Sequence, residues 1–300
     1  MYIINLLNPY LTRSTCRSNA LTPLLQVLVT LRFLATGGFY SLVSDTFSFI
    51  STVSVCRAVK DVCRQLCQIS RRFVKMPTGD AAESMKTQFY LIAGFPNVLG
   101  CVDGTYIRIQ CPKENEAEFL NRKGYHSLNV QMVCDAKYRI VNCVAKWPGS
   151  VHDSRIFRDS HISVSFENGI HKGLLLGDSG YPCKPYLMTP FSLPSNPAEE
   201  KYNKSHAKTR VIIEQTFGIL KRRFACLHSG LRTLPEKACD ITLGCAVLHN
   251  IGIERNDILD IDKDYINVGD VDFNVRDDWT GSNIRQYICQ AFFSRHCWSC

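Results

Sequence analysis

Long apolar runs are what this 300-residue sequence most clearly lacks. No stretch approaches the roughly 18 uncharged apolar residues that a membrane-spanning helix needs. The best candidate, residues 24–34, is too short and contains Arg32. The opening MYIINLLNPY has no basic region followed by a long apolar core, so no secretory signal is expected. Internal repeats and low-complexity tracts are also missing, which argues against a solenoid or a biased linker. A paired cysteine framework is missing too. The fifteen cysteines are scattered through apolar runs, as at Cys101, Cys134, Cys143 and Cys245, and read as reduced, buried thiols. One C-x-x-C pair, Cys297 and Cys300, follows His296, but no second half-site with matching spacing exists, so a structural zinc is not expected there.

What is present suits a folded protein of one large core, or one medium core and a small accessory domain. Apolar residues make up 45% and charged residues 21% of the chain. The net charge of +8 is uneven. Residues 254–278 hold nine acidic and three basic side chains, whereas residues 1–253 hold 30 basic and 18 acidic ones. A basic body with an acidic appendage suits a partner that is a polyanion.

The pattern divides the chain into five parts. Residues 1–20 are poorly patterned. Residues 21–75 read as helices, and in the last of these Val55, Val59, Val62, Leu66 and Ile69 recur at helical spacing. Arg57, Lys60, Arg64 and Gln68 fall on the other side. A short helix, a turn and a helix with a basic outer face sketch a helix-turn-helix, although a plain helical bundle fits the residues equally well. Residues 76–97 form a linker or helix. Residues 98–253 open with strand-like runs, VLGCVDGTYIRIQ, LNVQMVCD, RIVNCVAKW and GLLLGDSGY, with a hairpin turn expected at Asp135-Ala136-Lys137. Five prolines between 182 and 197 predict loop or very short elements up to residue 200. A long amphipathic helix is expected over 205–227 and an apolar one over 238–253. Residues 254–300 form an acidic tail with a short terminal helix at 284–293.

Three carboxylates stand out. Asp103 interrupts an apolar run, Asp178 ends the buried strand LLLGD, and Glu214 lies at the border of the long helix's apolar face, with Arg210, Gly218 and Lys221 one or two turns away. Burying ionised carboxylates is costly unless they are paired or bound to metal. Two aspartates from one sheet, with a glutamate leaning over from a helix, could converge on magnesium or manganese, which prefer hard oxygen ligands. Such a site could serve phosphodiester displacement, with Arg210 and Lys221 as phosphate contacts. The residues alone allow a blander reading. Asp103 could make a turn or a hydrogen bond, Asp178 cap a following segment, and Glu214 pair with Arg210.

Four strings carry a resemblance: GCVDGTYIRI, NRKGYHSLNVQMVCDAKYRIVNCVAKWPGSVHDSRIF, LLLGDSGYPCKPYLMTPF and EEKYNKSHAKTRVIIEQTFGILKRRFACL. In that order they resemble the PIF/Harbinger superfamily of DDE transposases and the nucleases derived from them. The resemblance covers about residues 20–253. It implies an α/β (α+β) RNase H-like mixed sheet flanked by helices, preceded by the helix-turn-helix-like region. It further implies Asp103 on the first strand, Asp178 after the fourth and Glu214 on a following helix, all three as catalytic metal ligands for Mg2+ or Mn2+. The 35 residues between Asp178 and Glu214 match the interval of such cores.

The implied activity is metal-dependent hydrolysis or strand transfer on DNA, and the rival is a catalytically silent DNA-binding or interaction protein that keeps the fold. Phosphate contacts would fall to Arg57, Lys60 and Arg64. A Myb-like DNA-binding partner and a nuclear location, with the cytoplasm as a second compartment, also come from the resemblance. Relatives carry several tens of residues before the segment that opens here near Leu21, so a shortened N-terminus is expected. His152-Asp153 superficially resembles an HD phosphohydrolase pair without the other ligands. Asp153 reads first as a helix N-cap and second, with His152, as accessory to the metals. His126 reads as a hairpin hydrogen-bonder or substrate contact.

Overall fold

The computed structural model describes residues 1–12, 20–47, 49–257 and 278–294. Five strands form one mixed sheet in the order β3-β2-β1-β4-β5. They are β1 (Val98–Arg108), β2 (Ser127–Cys134), β3 (Ile140–Pro148), β4 (Leu174–Leu176) and β5 (Leu187–Met188). β2 runs antiparallel to both β1 and β3, while β4 is parallel to β1 and β5 is parallel to β4. This is an RNase H-like arrangement with helices around it.

The β2–β3 hairpin turns where expected. The Asp135 carboxylate accepts from the backbone N–H groups of Lys137 and Arg139, both at 2.8 Å. β2 is buried along its whole length, as are the three leucines of β4. Both need cover on each face, and helices supply it.

The long helix runs from Pro197 to Arg223, starting earlier than the proline spacing suggested. The reason is local. The Asn196 side chain accepts from Ala198 N and Glu199 N, and Pro197 sits in the first turn, where its missing N–H removes nothing. Ile213 and Leu220 are buried on its apolar face, with Tyr202, His206, Thr209 and Ile212 extending that face toward the N-terminus.

In the N-terminal part, helices Pro23–Thr36, Tyr40–Thr46 and Thr52–Gln68 pack together. Val55, Val59, Val62 and Leu66 are buried, and Arg57, Lys60 and Arg64 are exposed. Thr52–Gln68 packs on the helix Pro235–Glu254, where Gly244 lies against Cys63 and Leu66. Asn250 of that helix accepts from Ile140 N and donates to Ile140 O and Phe73 O, joining the edge strand β3 to the helical region. Helix Asp80–Ala93 leads into β1. Most of the acidic segment, and Cys297 with Cys300, lie outside the described residues. Among the described residues twelve cysteines carry free thiols, seven of them buried, and no helix is long and apolar enough to cross a membrane.

Candidate active site

The sheet itself creates the site. β4 pairs with β1 only as far as Cys101, so the next residues of β1 leave that edge open. Asp103 is the second residue past the last pair, and Asp178 emerges two residues after the end of β4. The third element is the long helix, packed along β1.

Asp103 and Gly104 are neighbours on one strand, so their side-chain positions point to opposite faces. The Asp103 carboxylate accepts from Arg210 Nη1 at 2.9 Å and from Gly104 N at 2.8 Å. Arg210 Nη2 donates to Glu214 Oε1 one helical turn on. Arg210 thus bridges two of the expected ligands, and all three side chains are largely shielded, with 14–19% exposure. On the other face, a Cβ at Gly104 would lie 2.3 Å from Asp153 Oδ1. The missing side chain is what lets Asp153 lie against the strand.

Asp153 does not cap its helix, Asp153–Arg158. The N-cap position belongs to the exposed His152, which makes no side-chain cap. The Asp153 carboxylate instead accepts from Asn129 Nδ2 of β2 at 2.7 Å. The N-cap reading fails because the sheet offers this carboxyl a buried partner that solvent-facing helix ends lack. Asp178 accepts from Gly180 N at 3.0 Å.

The bland contacts are therefore all present, yet electrostatics sets this group apart. Burial, followed by the negative charge of Asp178, pushes the Asp103 carboxyl up to about 8, against partial relief from Arg210. Asp153 is raised as well, by burial first, with Asp178 adding to it and the Asn129 hydrogen bond opposing it. Tyr181 is 1% exposed. Its hydroxyl is raised well above the usual phenol range, first by burial and then by Asp153, Asp103 and Asp178. That hydroxyl has no hydrogen-bond partner among the described residues. Asp103, Asp153 and Asp178 thus act on one another and on an orphaned phenol, with Arg210 the cation beside Asp103 and Glu214 and Arg122 one that acts on Asp153. The all-oxygen donor set fits a hard divalent cation. The ligand oxygens of Asp103, Asp178 and Glu214 are not all within 4.8 Å of one another, and Arg210 occupies the interval between the first and last.

The other expected residues scatter. Lys221 donates to Tyr106 O of β1 at 3.1 Å, and burial lowers its pKa to about 8. His126 lies on the β1–β2 loop, 3.1 Å from Glu116. Gly218 leaves open space, with nothing within 4 Å of a Cβ placed there. Sequence reasoning missed Gly104, Asn129 and Tyr181. The only sequence signal for them was their place inside the strings VDGTY, SLNVQ and GDSGY.

Residues 102–250 match the profile of the family described as DDE superfamily endonuclease. Over 259 residues the chain is 40% identical to HARBI1 of Homo sapiens, which is named as a nuclease, covering 85% of this chain and 74% of that protein. Identity to HARBI1 of Xenopus laevis is 36% over 260 residues, covering 85% and 75%. An Arabidopsis thaliana protein named ALP1-like is 27% identical over 261 residues, covering 77% and 61%. No solved structure matches.

Proposed function

The chain belongs to the DDE superfamily endonucleases, among the nucleases derived from Harbinger transposases, and from that premise we propose that it is a divalent-metal-dependent DNA nuclease. Asp103, Asp178 and Glu214 would hold the metal, with Asp153 an accessory carboxylate near them. The observation that supports this reading is the meeting of Asp103 from β1 and Glu214 from the long helix at one guanidinium, Arg210, with Asp178 near enough to raise the Asp103 carboxyl. Carboxylates gathered at this density around a single guanidinium are costly in a folded protein unless a cation belongs there.

Magnesium or manganese, when bound, supplies Lewis-acid stabilisation of the attacking and leaving oxygens in phosphodiester displacement. The chain's own groups do the rest. Gly104 gives Asp153 its place against β1, and Asn129 orients that carboxylate. Arg210 holds Asp103 and Glu214 in register on facing elements. Tyr181 offers a hydroxyl donor at the carboxylates. In this reading Lys221, beside Tyr106, and the exposed Arg57, Lys60 and Arg64 would contact phosphates. Hydrolysis and strand transfer need the same site and differ only in whether water or a DNA 3′-hydroxyl attacks. A nuclear location and a Myb-like partner belong to the same proposal.

One observation favours a second reading, a silent DNA-binding or interaction module. The Arg210 bridge already satisfies Asp103 and Glu214 without any ion. Cleavage of plasmid and hairpin DNA with magnesium or manganese decides between them. The nuclease reading requires metal-dependent cutting that Asp178→Ala abolishes while DNA binding persists. Binding without cutting by the wild type would leave the module.

A further inference from the structure

A second cluster of metal-ligating groups lies on the β1–β2 loop. The Cys111 thiol, the Glu116 carboxylate and the His126 ring each place one ligand atom within 4.8 Å of the others. His126 Nε2 stands 3.1 Å from Glu116 Oε1, and the Cys111 thiol, which donates to Pro112 O at 3.5 Å, has its pKa raised by the neighbouring Glu116. Among the described cysteines, Cys111 is the exposed one.

The backbone is tied down where the segment leaves β1 and where it enters β2. Ile109 N donates to His126 O and Gln110 N to Leu231 O, both at 3.0 Å. Leu120 bridges to His126. The Asn121 side chain accepts from Lys123 N at 2.9 Å and donates to Ser127 Oγ at 2.8 Å. Ligands on restrained backbone lose little conformational entropy on binding.

We propose that Cys111, Glu116 and His126 bind a zinc ion that clips the β1–β2 loop, at a centre separate from the carboxylate site. Thiolate, imidazole and carboxylate form a borderline-soft set suited to zinc, and water completes four-coordination. Binding releases the thiol proton to solvent, and His126 ligates through Nε2. Two negative ligands balance the charge of the ion.

The clip has a consequence for the groups between its ligands. Arg122 and Lys123 lie in the segment that Glu116 and His126 bracket. Arg122 acts electrostatically on Asp153 and Tyr106, and Lys123 acts on Lys221. Zinc at the loop's base therefore fixes two cations at the edge of the carboxylate pocket. Cys111 and His126 also line a groove of about 680 Å3 together with Arg108, Tyr125 and Arg232, so the ion is reachable from solvent.

Cobalt(II) loading of the purified full chain tests this directly, because a thiolate ligand gives a near-ultraviolet charge-transfer band that oxygen ligands do not. The band is expected in the wild type and in Asp178→Asn, absent in Cys111→Ser, and recovered only at tenfold or more higher cobalt in His126→Gln. Zinc should bleach it at one equivalent, and should slow hydrogen exchange over residues 111–126 in the wild type but not in Cys111→Ser. No band in the wild type, or an undiminished band in Cys111→Ser, overturns the proposal. Because Asp178→Asn disables the carboxylate centre, the outcome is independent of the nuclease reading.

Discussion

Adding one carbon at Gly104 perturbs the site more selectively than removing a carboxylate. A Cβ there would lie 2.3 Å from Oδ1, 2.7 Å from Cγ and 2.9 Å from Oδ2 of Asp153, where ordinary contact begins at 3.4 Å. The Asp153 carboxyl is held by Asn129 at 2.7 Å and springs from the first residue of a helix, so it must move by about 1 Å or push the strand. Overpacking of this kind costs about 1–3 kcal/mol, which a chain of this size survives with a melting temperature lowered by several degrees. Misplacing a reacting group by about 1 Å lowers turnover by roughly 100-fold. Gly104→Ala should therefore fold, bind DNA and lose about two orders of magnitude in metal-dependent cleavage. The assay is single-turnover cleavage beside a thermal melt, repeated in an Asp153→Ala background, where the added methyl should have little left to displace. Gly218→Ala is the control. With open space around it, it should stabilise the long helix by about 1 kcal/mol. Cleavage by Gly104→Ala at the wild-type rate, or an equal further loss in the Asp153→Ala background, would refute the placement of Asp153.

Acid should unfold the protein through two histidines. Burial lowers His206 and His249 to about 4. Protonating His249 would leave Nδ1–H without an acceptor, since that buried atom has no partner and Nε2 faces Tyr138 O at 2.7 Å. Their depressed values make stability fall as pH drops from about 6.5 toward 4, by roughly 2–3 kcal/mol for each. Urea unfolding at pH 7 and pH 4.5 measures it, and an unchanged midpoint would contradict the burial argument. DNA affinity should weaken as pH rises through about 8, where Lys221 loses its charge, and Lys221→Gln should flatten that dependence in a fluorescence binding titration. For folding the sign is opposite. Stability gains from Lys221 as pH climbs from about 8 to about 10.5, because only the unfolded chain then keeps the proton.

Strands were legible because Val, Ile and Leu runs with a turn residue between them leave few alternatives, as at Val133, Asp135 and Ile140. Asp103, Asp178 and Glu214 stood out as oddities of patterning, and the metal role proposed for them comes from the ordered resemblance. What the sequence hid were roles created by contact across the chain. Asp153 reads locally as a helix cap, and only the bare strand position at Gly104 shows why it turns inward. Arg210 reads as a phosphate contact because its helical neighbours are all that sequence displays, while its partner Asp103 lies 107 positions away. The start of the long helix was obscured by prolines that mark loops in general but open a helix at Pro197, where Asn196 precedes it.

The central claim is that Asp178 is a metal ligand, and a change of ligand softness tests it most directly. Asp178→Cys replaces a hard carboxylate oxygen with a soft thiolate that magnesium binds poorly and manganese tolerates better. The measurement is DNA cleavage by this variant under each ion, with the wild type alongside. Cutting restored by manganese and not by magnesium is the predicted result. Equal cleavage, or equal failure, under the two ions would contradict a metal-ligating Asp178.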